Sequence, residues 1–178
     1  MLIFDAHLDL ALNGVDWNRD MRCDVAELRA QERALGMTEA GRCGSTLSFP
    51  ELLQGEIRVC LSTLLARQER EINHSFGWSS PATCYAMAHA HLAWHRAMER
   101  AGYLRAIRTK SDLESHFRDC EKKIESTPMG FIQTMEGADP LLVPDTVDEF
   151  YEHGLRAIGL THYGPNRYGG GTMSEAGL

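Results

Sequence analysis

Three short apolar segments of this chain each end in residues that can bind a metal ion. The segments cover residues 2–9, 130–137 and 155–162. The first ends in His7 and Asp9, the second carries Glu136, and the third ends in His162. A short apolar run bounded by turn residues is typical of a buried strand in a parallel sheet. In a barrel of such strands the catalytic groups come from the C-terminal strand ends, so the pattern predicts a metal or acid–base site there.

Predicted strands and helices alternate along the chain, which indicates parallel βαβ units with right-handed crossovers. The strands are predicted at about 2–6, 57–65, 130–135 and 155–161, with a short extended segment at 103–108. The helices are predicted at 24–35, after Ser48, at 81–100, from Ser111 with a capping box to Glu114, and at 145–154, with a polar loop at 67–80. A closed (β/α)8 barrel needs eight strands and ~250 residues. Residues 1–178 are therefore predicted to be one α/β domain holding roughly the first four βα units of a TIM-type barrel.

The composition is that of a globular protein, with 43% hydrophobic and 24% charged residues. A formal net charge of −7 argues against nucleic acid or an anionic membrane surface as the main partner. No apolar stretch approaches the ~20 residues that span a bilayer, and the N-terminus lacks the pattern of a secretory signal. The five cysteines include no Cys-x-x-Cys pair, so we expect free thiols and a cytoplasmic location.

His7 and Asp9 are two residues apart, a spacing that places both side chains on the same face of a strand. Imidazole nitrogen and carboxylate oxygen are ligands that zinc accepts, so the pair could share one cation. His-x-Asp is by itself a common pattern. The alternative interpretation is a hydrogen-bonded pair near the end of a strand.

Glu136 and His162 each follow a predicted strand. A carboxylate at the end of a buried strand is costly unless it is paired or binds a metal, and its two oxygens can bridge two ions ~3.5–4 Å apart. The alternative for Glu136 is a helix cap or a salt bridge. His162 could be a metal ligand, an oxyanion stabiliser or a substrate anchor, or its ring could be satisfied by the loop backbone.

Three histidines, His89, His91 and His95, lie in the long predicted helix. His91 and His95 share a face at i,i+4 spacing, but no glutamate follows His91 as a His-Glu-x-x-His zinc site requires. The sequence therefore favours an amphipathic helix surface over a metal site at these positions.

Taken together, the strand-end segments resemble the membrane (renal) dipeptidase family of zinc peptidases. The matching residues are Asp5–Leu10, Met135–Gly137 and Leu160–Asn166, in this order and at these separations. The predicted strand Ile57–Leu64 adds weaker support. The resemblance spans nearly the whole chain but only about the first half of the family's domain.

The resemblance implies a (β/α)8 barrel with two Zn²⁺ ions at its C-terminal mouth. His7 and Asp9 would then ligate the first zinc, and Glu136 would bridge both ions. His162 would contact the substrate near the scissile carbonyl and help to stabilise the tetrahedral intermediate. A metal-bridging water would be the nucleophile, and the substrates would be dipeptides, often with a D-residue at the C-terminal position.

The sequence departs from the family pattern at several positions. Ala6 replaces a glycine in the family's Asp-Gly-His-x-Asp, and Gly137-Ala138-Asp139 replaces a Gly-Gly-His type sequence, which would alter the surroundings of the ligands. Two histidine ligands of the second zinc and a late catalytic aspartate would lie on the fifth, sixth and eighth strands of the family's barrel. None of those strands is predicted in this chain.

A half barrel leaves strand edges unpaired and barrel-facing side chains uncovered. We therefore expect a chain that is not a stable monomer by itself. It would be a product of truncation, a homo-oligomer, or a polypeptide that associates with the missing C-terminal half.

Two other functions stay open from the sequence. Another metal-dependent amidohydrolase on the same barrel would act on a cyclic amide or N-acyl compound, but those enzymes usually begin with His-x-His, so Asp9 favours the dipeptidase. A catalytically incomplete half-barrel could instead serve as an assembly or binding subunit. The joint presence of His7, Glu136 and His162 with Asp9 argues against that second alternative.

Overall fold

The computed structural model describes residues 2–69, 77–123, 126–172 and 174. It contains five parallel strands: β1 (Ile3–Leu8), β2 (Ile57–Leu64), β3 (Leu104–Ala106), β4 (Met129–Glu136) and β5 (Leu155–Gly159). Four of them are the predicted barrel strands, and β3 is the predicted short extended segment. The predicted loop at 67–80 lies partly outside the described residues.

The helices follow the caps that the sequence carries. They are α1 (Val25–Ala34), α2 (Phe49–Gln54), α3 (Pro81–Arg100), α4 (Lys110–Lys123) and α5 (Thr146–Glu152), with a short π-helix at Leu12–Asp16. The Asp24 carboxylate accepts a hydrogen bond of 2.7 Å from the backbone N–H of Glu27 at the start of α1. Pro81 occupies the first turn of α3, where a missing N–H costs nothing. These two helix starts confirm the predictions.

The capping box predicted at Ser111 and Glu114 is wrong. Helix α4 begins at Lys110, and the reciprocal bonds join Thr109 to Asp112: the Asp112 N–H donates to Thr109 Oγ1 (3.1 Å), and the Thr109 N–H donates to Asp112 Oδ2 (2.8 Å). Threonine followed three residues later by a carboxylate meets the same physical requirement two residues earlier in the chain.

The sheet is entirely parallel, and the four long strands are neighbours in chain order. β1 pairs with β2, β2 with β4, and β4 with β5, while the short β3 pairs with the first residues of β4. This order confirms the parallel α/β architecture. The sheet is open in the described part of the chain, with β1 at one edge, so a closed barrel is not what these residues form by themselves.

Helix α3 covers the sheet from one end to the other. Its first half (Cys84, Ala88 and Leu92) packs with the C-terminal ends of β2 and β4, at Leu64 and Met135. Trp94 and Met98, in its second half, pack against a second cluster, which includes Leu104 and Met129 at the starts of β3 and β4. Because α3 runs antiparallel to the strands, one helix joins both core clusters to the sheet.

Strand β1 is less buried than its apolar sequence predicts. Phe4 is 48% exposed, and among the residues that the structure describes its strand has a neighbour on one side only. Leu61 and Ile132 pair in register on the central strands β2 and β4 and are also only half-buried. The apolar pattern predicted the burial of each strand in a complete barrel. In the described residues β1 lies at an edge, and the sheet face that carries Leu61 and Ile132 is only partly covered.

Among the helices of the described residues, none has both the length and the apolar character that crossing a bilayer requires.

Candidate metal centre

His7 and Asp9 lie at the C-terminal end of edge strand β1. His7 is the fifth residue of β1, and Asp9 follows the strand directly. Their nearest side-chain atoms, His7 Nε2 and Asp9 Oδ2, are 3.6 Å apart. The chain then turns into the π-helix, whose Asn13 side chain donates to the Asp9 backbone carbonyl (2.9 Å). Leu10, fully buried in the second core cluster, anchors this turn, so the position of Asp9 is set by packing directly behind it.

Glu136 brings a second carboxylate to the same place from the end of β4. Its Oε2 lies 3.4 Å from His7 Nε2. One ligand atom from each of His7, Asp9 and Glu136 falls within 4.8 Å of the other two. The residues are about 130 positions apart in the chain, and they meet because the carboxyl ends of parallel strands share one edge of the sheet.

His162 reaches the site although β5 ends three residues before it. The pairing of β4 and β5 continues past the strands through two backbone bonds, from Gly137 N–H to the Gly159 carbonyl and from Ala138 N–H to the Leu160 carbonyl, both 2.9 Å. Gly137 has a positive φ of +88°, a backbone conformation that glycine adopts without strain. These contacts carry His162 alongside β4, with its Nε2 3.3 Å from Glu136 Oε1.

The Asp9 carboxyl lies in an electrostatic environment that disfavours its charged form. Burial raises the pKa of its carboxyl above the usual value, and the nearby Glu136 carboxylate adds to the rise while imidazoles oppose it. Asp9 Oδ1 is buried and has no hydrogen-bond partner among the described residues. A buried carboxylate oxygen without a donor is costly, and a bound cation would remove that cost.

The donor set fits a divalent metal ion. Two ligand atoms bound to one tetrahedral zinc lie about 3.3 Å apart, given Zn–N and Zn–O distances of ~2.0–2.2 Å. The separations of 3.4 Å and 3.6 Å around His7 Nε2 are close to this value. The two oxygens of Glu136 face different neighbours, Oε2 toward His7 and Oε1 toward His162. The specific roles of His7, Asp9, Glu136 and His162 stay predictions.

Arg67 is a site residue that the sequence reasoning missed. It follows the end of β2 by three residues, and its Nη1 lies 3.3 Å from His162 Nδ1. A guanidinium has only donors, so this contact makes Nδ1 the acceptor and leaves the hydrogen of a neutral His162 ring on Nε2. The signal was available, because Arg67 follows a predicted strand just as the other site residues do.

Asp139 joins the loops that carry Arg67 and His162. Its Oδ1 accepts from the backbone N–H of Gln68 (3.0 Å), and its Oδ2 accepts from the side chain of Asn166 (2.9 Å). The same Asn166 amide donates to the Leu160 carbonyl (2.7 Å). Asp139, one of the residues at which the sequence departs from the family pattern, therefore connects the loops after β2 and β5.

The helix histidines His91 and His95 do not lie on an amphipathic surface, so that prediction is wrong. Both are fully buried. His91 Nε2 lies 2.6 Å from Asp16 Oδ2 in the π-helix, and His95 Nε2 lies 2.7 Å from Ser62 Oγ in β2. His95 faces the sheet and His91 faces the π-helix, and each Nε2 has a polar partner there. His91 Nδ1 has no hydrogen-bond partner among the described residues.

No family model matches the sequence, and no curated protein is significantly similar to it. Comparison with solved structures does find similar folds. Dipeptidase AC, a metallopeptidase of family M19, is 20% identical with a TM-score of 0.62, and the match covers 96% of this chain and 48% of that one. A metallopeptidase from Rhodobacter sphaeroides, solved with a phosphinate mimic of the dipeptide L-Ala-D-Ala, is 19% identical with a TM-score of 0.65 over 96% and 48% of the two chains.

The probable dipeptidase PvdM from Pseudomonas aeruginosa is 14% identical, with a TM-score of 0.65 over 96% of this chain and 37% of its own. At these identities the shared property is the fold. The resemblance to the dipeptidase family is confirmed at that level. The chain spans about half the length of the first two structures and less of the third, which is consistent with an N-terminal half.

Proposed function

We propose that this chain supplies part of the active site of a metal-dependent dipeptidase, with His7, Asp9 and Glu136 as metal ligands. The observation that carries the proposal is the approach of three ligand atoms from the ends of two separate strands to within 4.8 Å of one another. The likeness of the fold to metallo-dipeptidases supports the same conclusion.

In this proposal the ligands divide between two zinc ions. His7 and Asp9 would hold the first ion together with Glu136 Oε2, while Glu136 Oε1, which lies 3.3 Å from His162 Nε2, would bind a second in place of that contact. The metal, when bound, supplies Lewis acidity and lowers the pKa of water from 15.7 to near ~7. Further ligands of the second ion would come from strands beyond the five in the described residues.

His162 would act on the substrate and not on the metal. Arg67 holds its Nδ1 as an acceptor, so the ring presents an Nε2–H, which faces Glu136 Oε1 at 3.3 Å until a second ion binds that oxygen. That group would donate to the oxygen of the scissile carbonyl as negative charge develops there, which is how an oxyanion is stabilised. The ring is only 16% exposed, so its orientation is restricted before substrate binds.

The substrate we propose is a short peptide such as a dipeptide. One protein of similar fold binds a phosphinate mimic of L-Ala-D-Ala, and we extend that substrate class to this chain. A metal-dependent amidohydrolase acting on other amides is the alternative within the same chemistry, and hydrolysis of N-acyl or cyclic amides in place of dipeptides would identify it.

A second candidate is an assembly or binding subunit, which the open sheet favours. Strand β1 has a free edge in the described residues, and its residue Phe4 is 48% exposed. An unpaired strand edge is a template for pairing with another chain. We propose that further strands cover it, supplied by a longer chain, by a second polypeptide or by a second copy.

The test of the proposed function is a Glu136→Gln substitution. Loss of the bridging carboxylate is expected to remove bound zinc, measured by equilibrium dialysis and elemental analysis. It is also expected to abolish dipeptide hydrolysis in a form extended beyond Leu178. Glu114→Gln is the matched control, because Glu114 is an exposed carboxylate on α4. Unchanged zinc content in Glu136→Gln would contradict the ligand role.

His162→Gln separates substrate binding from metal binding. We expect its zinc content to be unchanged and its turnover to fall by about 10²–10³-fold, the usual cost of losing one oxyanion donor. Metal loss in this variant would instead make His162 a ligand. If neither the chain nor its extended form binds metal or hydrolyses peptides, the non-catalytic subunit is the better interpretation.

A further inference from the structure

A second group of metal-type ligands lies between α3 and α5 and shares no residue with the strand-end site. His89 comes from the middle of α3, Glu149 from the first turn of α5, and His153 from the C-cap of α5. One ligand atom from each lies within 4.8 Å of the other two. Glu149 Oε1 is 3.2 Å from His89 Nε2 and 4.0 Å from His153 Nε2.

The group is held in place by packing behind it. Phe150 is fully buried between the two helices, and its ring centroid lies 5.1 Å from that of His89. The Tyr85 hydroxyl donates to Glu149 Oε1 (2.8 Å), which orients the carboxylate as an outer partner orients a metal ligand. Glu149 and His153, four residues apart, share one face across the end of α5.

The contacts among His89, Glu149 and His153 leave one ring nitrogen without a hydrogen bond. His89 Nε2 is buried and has no hydrogen-bond partner among the described residues, although a carboxylate oxygen is only 3.2 Å away. Buried polar atoms are normally paired.

We propose that His89, Glu149 and His153 bind one divalent transition-metal ion, with Zn²⁺ as the best fit. Two imidazoles and one carboxylate are a three-ligand set that zinc uses with an open fourth position, and Glu149, at 40% side-chain exposure, leaves this position accessible to solvent. The bound ion fastens α5 to α3. Because α5 leads directly into β5, it also fixes the segment that carries His162.

The experiment titrates zinc into a chain in which the strand-end ligands are removed, by His7→Ala, Asp9→Asn and Glu136→Gln together. Equilibrium dialysis with elemental analysis is expected to find one Zn²⁺ per chain in this background. Co²⁺ in place of Zn²⁺ is expected to give the visible absorption of a low-coordinate site. If this background binds no metal, the second site is overturned whatever the result for the proposed function.

Glu149→Gln added to that background is expected to weaken binding by more than about 100-fold, since even loss of an outer-shell partner costs about 10–100-fold. Asp148→Asn is the matched control, because it removes a carboxylate from the same first turn of α5 and should leave binding unchanged. His89→Gln checks the helix α3 ligand, and circular dichroism verifies that each variant is folded. Equal affinity in Glu149→Gln and Asp148→Asn would overturn the proposal.

Discussion

Two carboxyl groups of this protein, Glu32 in α1 and Asp9 after β1, sit in opposite electrostatic environments. Glu32 is 6% exposed and accepts hydrogen bonds from Arg19 (2.7 Å), Arg42 (3.2 Å) and the backbone N–H of Cys43. Asp9 has one oxygen with no hydrogen-bond partner among the described residues, and its other oxygen is 3.6 Å from His7.

The two environments shift the two pKa values in opposite directions. At Glu32, burial by itself would raise the pKa, but the bonds from Arg19, Cys43 and Arg42 outweigh it and lower the pKa to about 2. At Asp9, burial is the dominant cause, and the pKa is raised. The number of donors, and not burial alone, decides which form of a carboxyl the fold prefers.

The comparison separates a structural carboxylate from one available to a ligand. Glu32 joins α1 to the segments that carry Arg19 and Cys43, and its lone pairs are occupied by the protein itself. Asp9 Oδ1 has no hydrogen-bond donor among the described residues, which leaves it available for the proposed metal ion. The number of hydrogen-bond donors around a buried carboxylate therefore distinguishes one that stabilises the fold from one whose oxygen is available to a cation.

The largest expected effect is the loss of stability when Glu32, the structural carboxylate, is replaced. Glu32→Gln should lower the free energy of unfolding by about 3–5 kcal/mol, because it leaves the buried Arg19 guanidinium without its counter-charge. Urea denaturation followed by circular dichroism measures the change. Glu27→Gln, an exposed carboxylate on the same helix, is the control and should cost less than about 0.5 kcal/mol. Equal losses of unfolding free energy in Glu32→Gln and Glu27→Gln would show that Glu32 is not a structural carboxylate.

The next largest expected effect is on the pH dependence of the free energy of unfolding, to which Glu32 contributes. Its folded pKa of about 2 lies below the ordinary value of 4.5, so its stabilisation is complete above pH 4.5 and is lost as the pH falls toward 2. The corresponding loss is about 3 kcal/mol at ~1.4 kcal/mol per pKa unit. The free energy of unfolding, measured from pH 6 to pH 2, should fall between pH 4.5 and 2. Its slope against pH should be smaller in Glu32→Gln than in the unsubstituted protein. A slope identical in both proteins would assign the acid sensitivity to other groups.

The smallest effect on stability is expected at Asp9. Asp9→Asn removes a poorly solvated charge, so the free energy of unfolding without metal should change by less than about 1 kcal/mol. Zinc affinity should nevertheless fall at least about tenfold, as expected when a charged ligand is lost. Urea denaturation tests the first statement and isothermal titration calorimetry the second, with Asp145→Asn as the control in both. A large loss of stability with unchanged zinc affinity would make Asp9 structural, like Glu32.

Much of the fold could be predicted from the sequence because local signals agree with the tertiary structure. The apolar runs predicted β1, β2, β4 and β5, and Pro81 with Gly102 delimited α3. The strand-end rule then pointed to four residues that do lie near one another. The rule works because parallel strands place their carboxyl ends at one edge whatever the intervening helices are.

Other features depended on contacts between distant parts of the chain. The burial of His91 and His95 follows from the packing of α3 on Asp16 and Ser62, which no helix periodicity reveals. The approach of His89 to Glu149 and His153 likewise needs α3 and α5 to be neighbours. Asp139 as the link between two loops was visible only as a departure from the family pattern.

By itself the sequence determined which residue types end each strand, and hence that imidazole and carboxylate groups gather at one edge of a parallel sheet. Only the tertiary structure decided which of those groups find donors, which are left without them, and that β1 stands at an open edge. The physical reason is that strand formation and side-chain alternation are local properties, whereas desolvation and hydrogen-bond satisfaction are set by whatever the rest of the chain brings into contact.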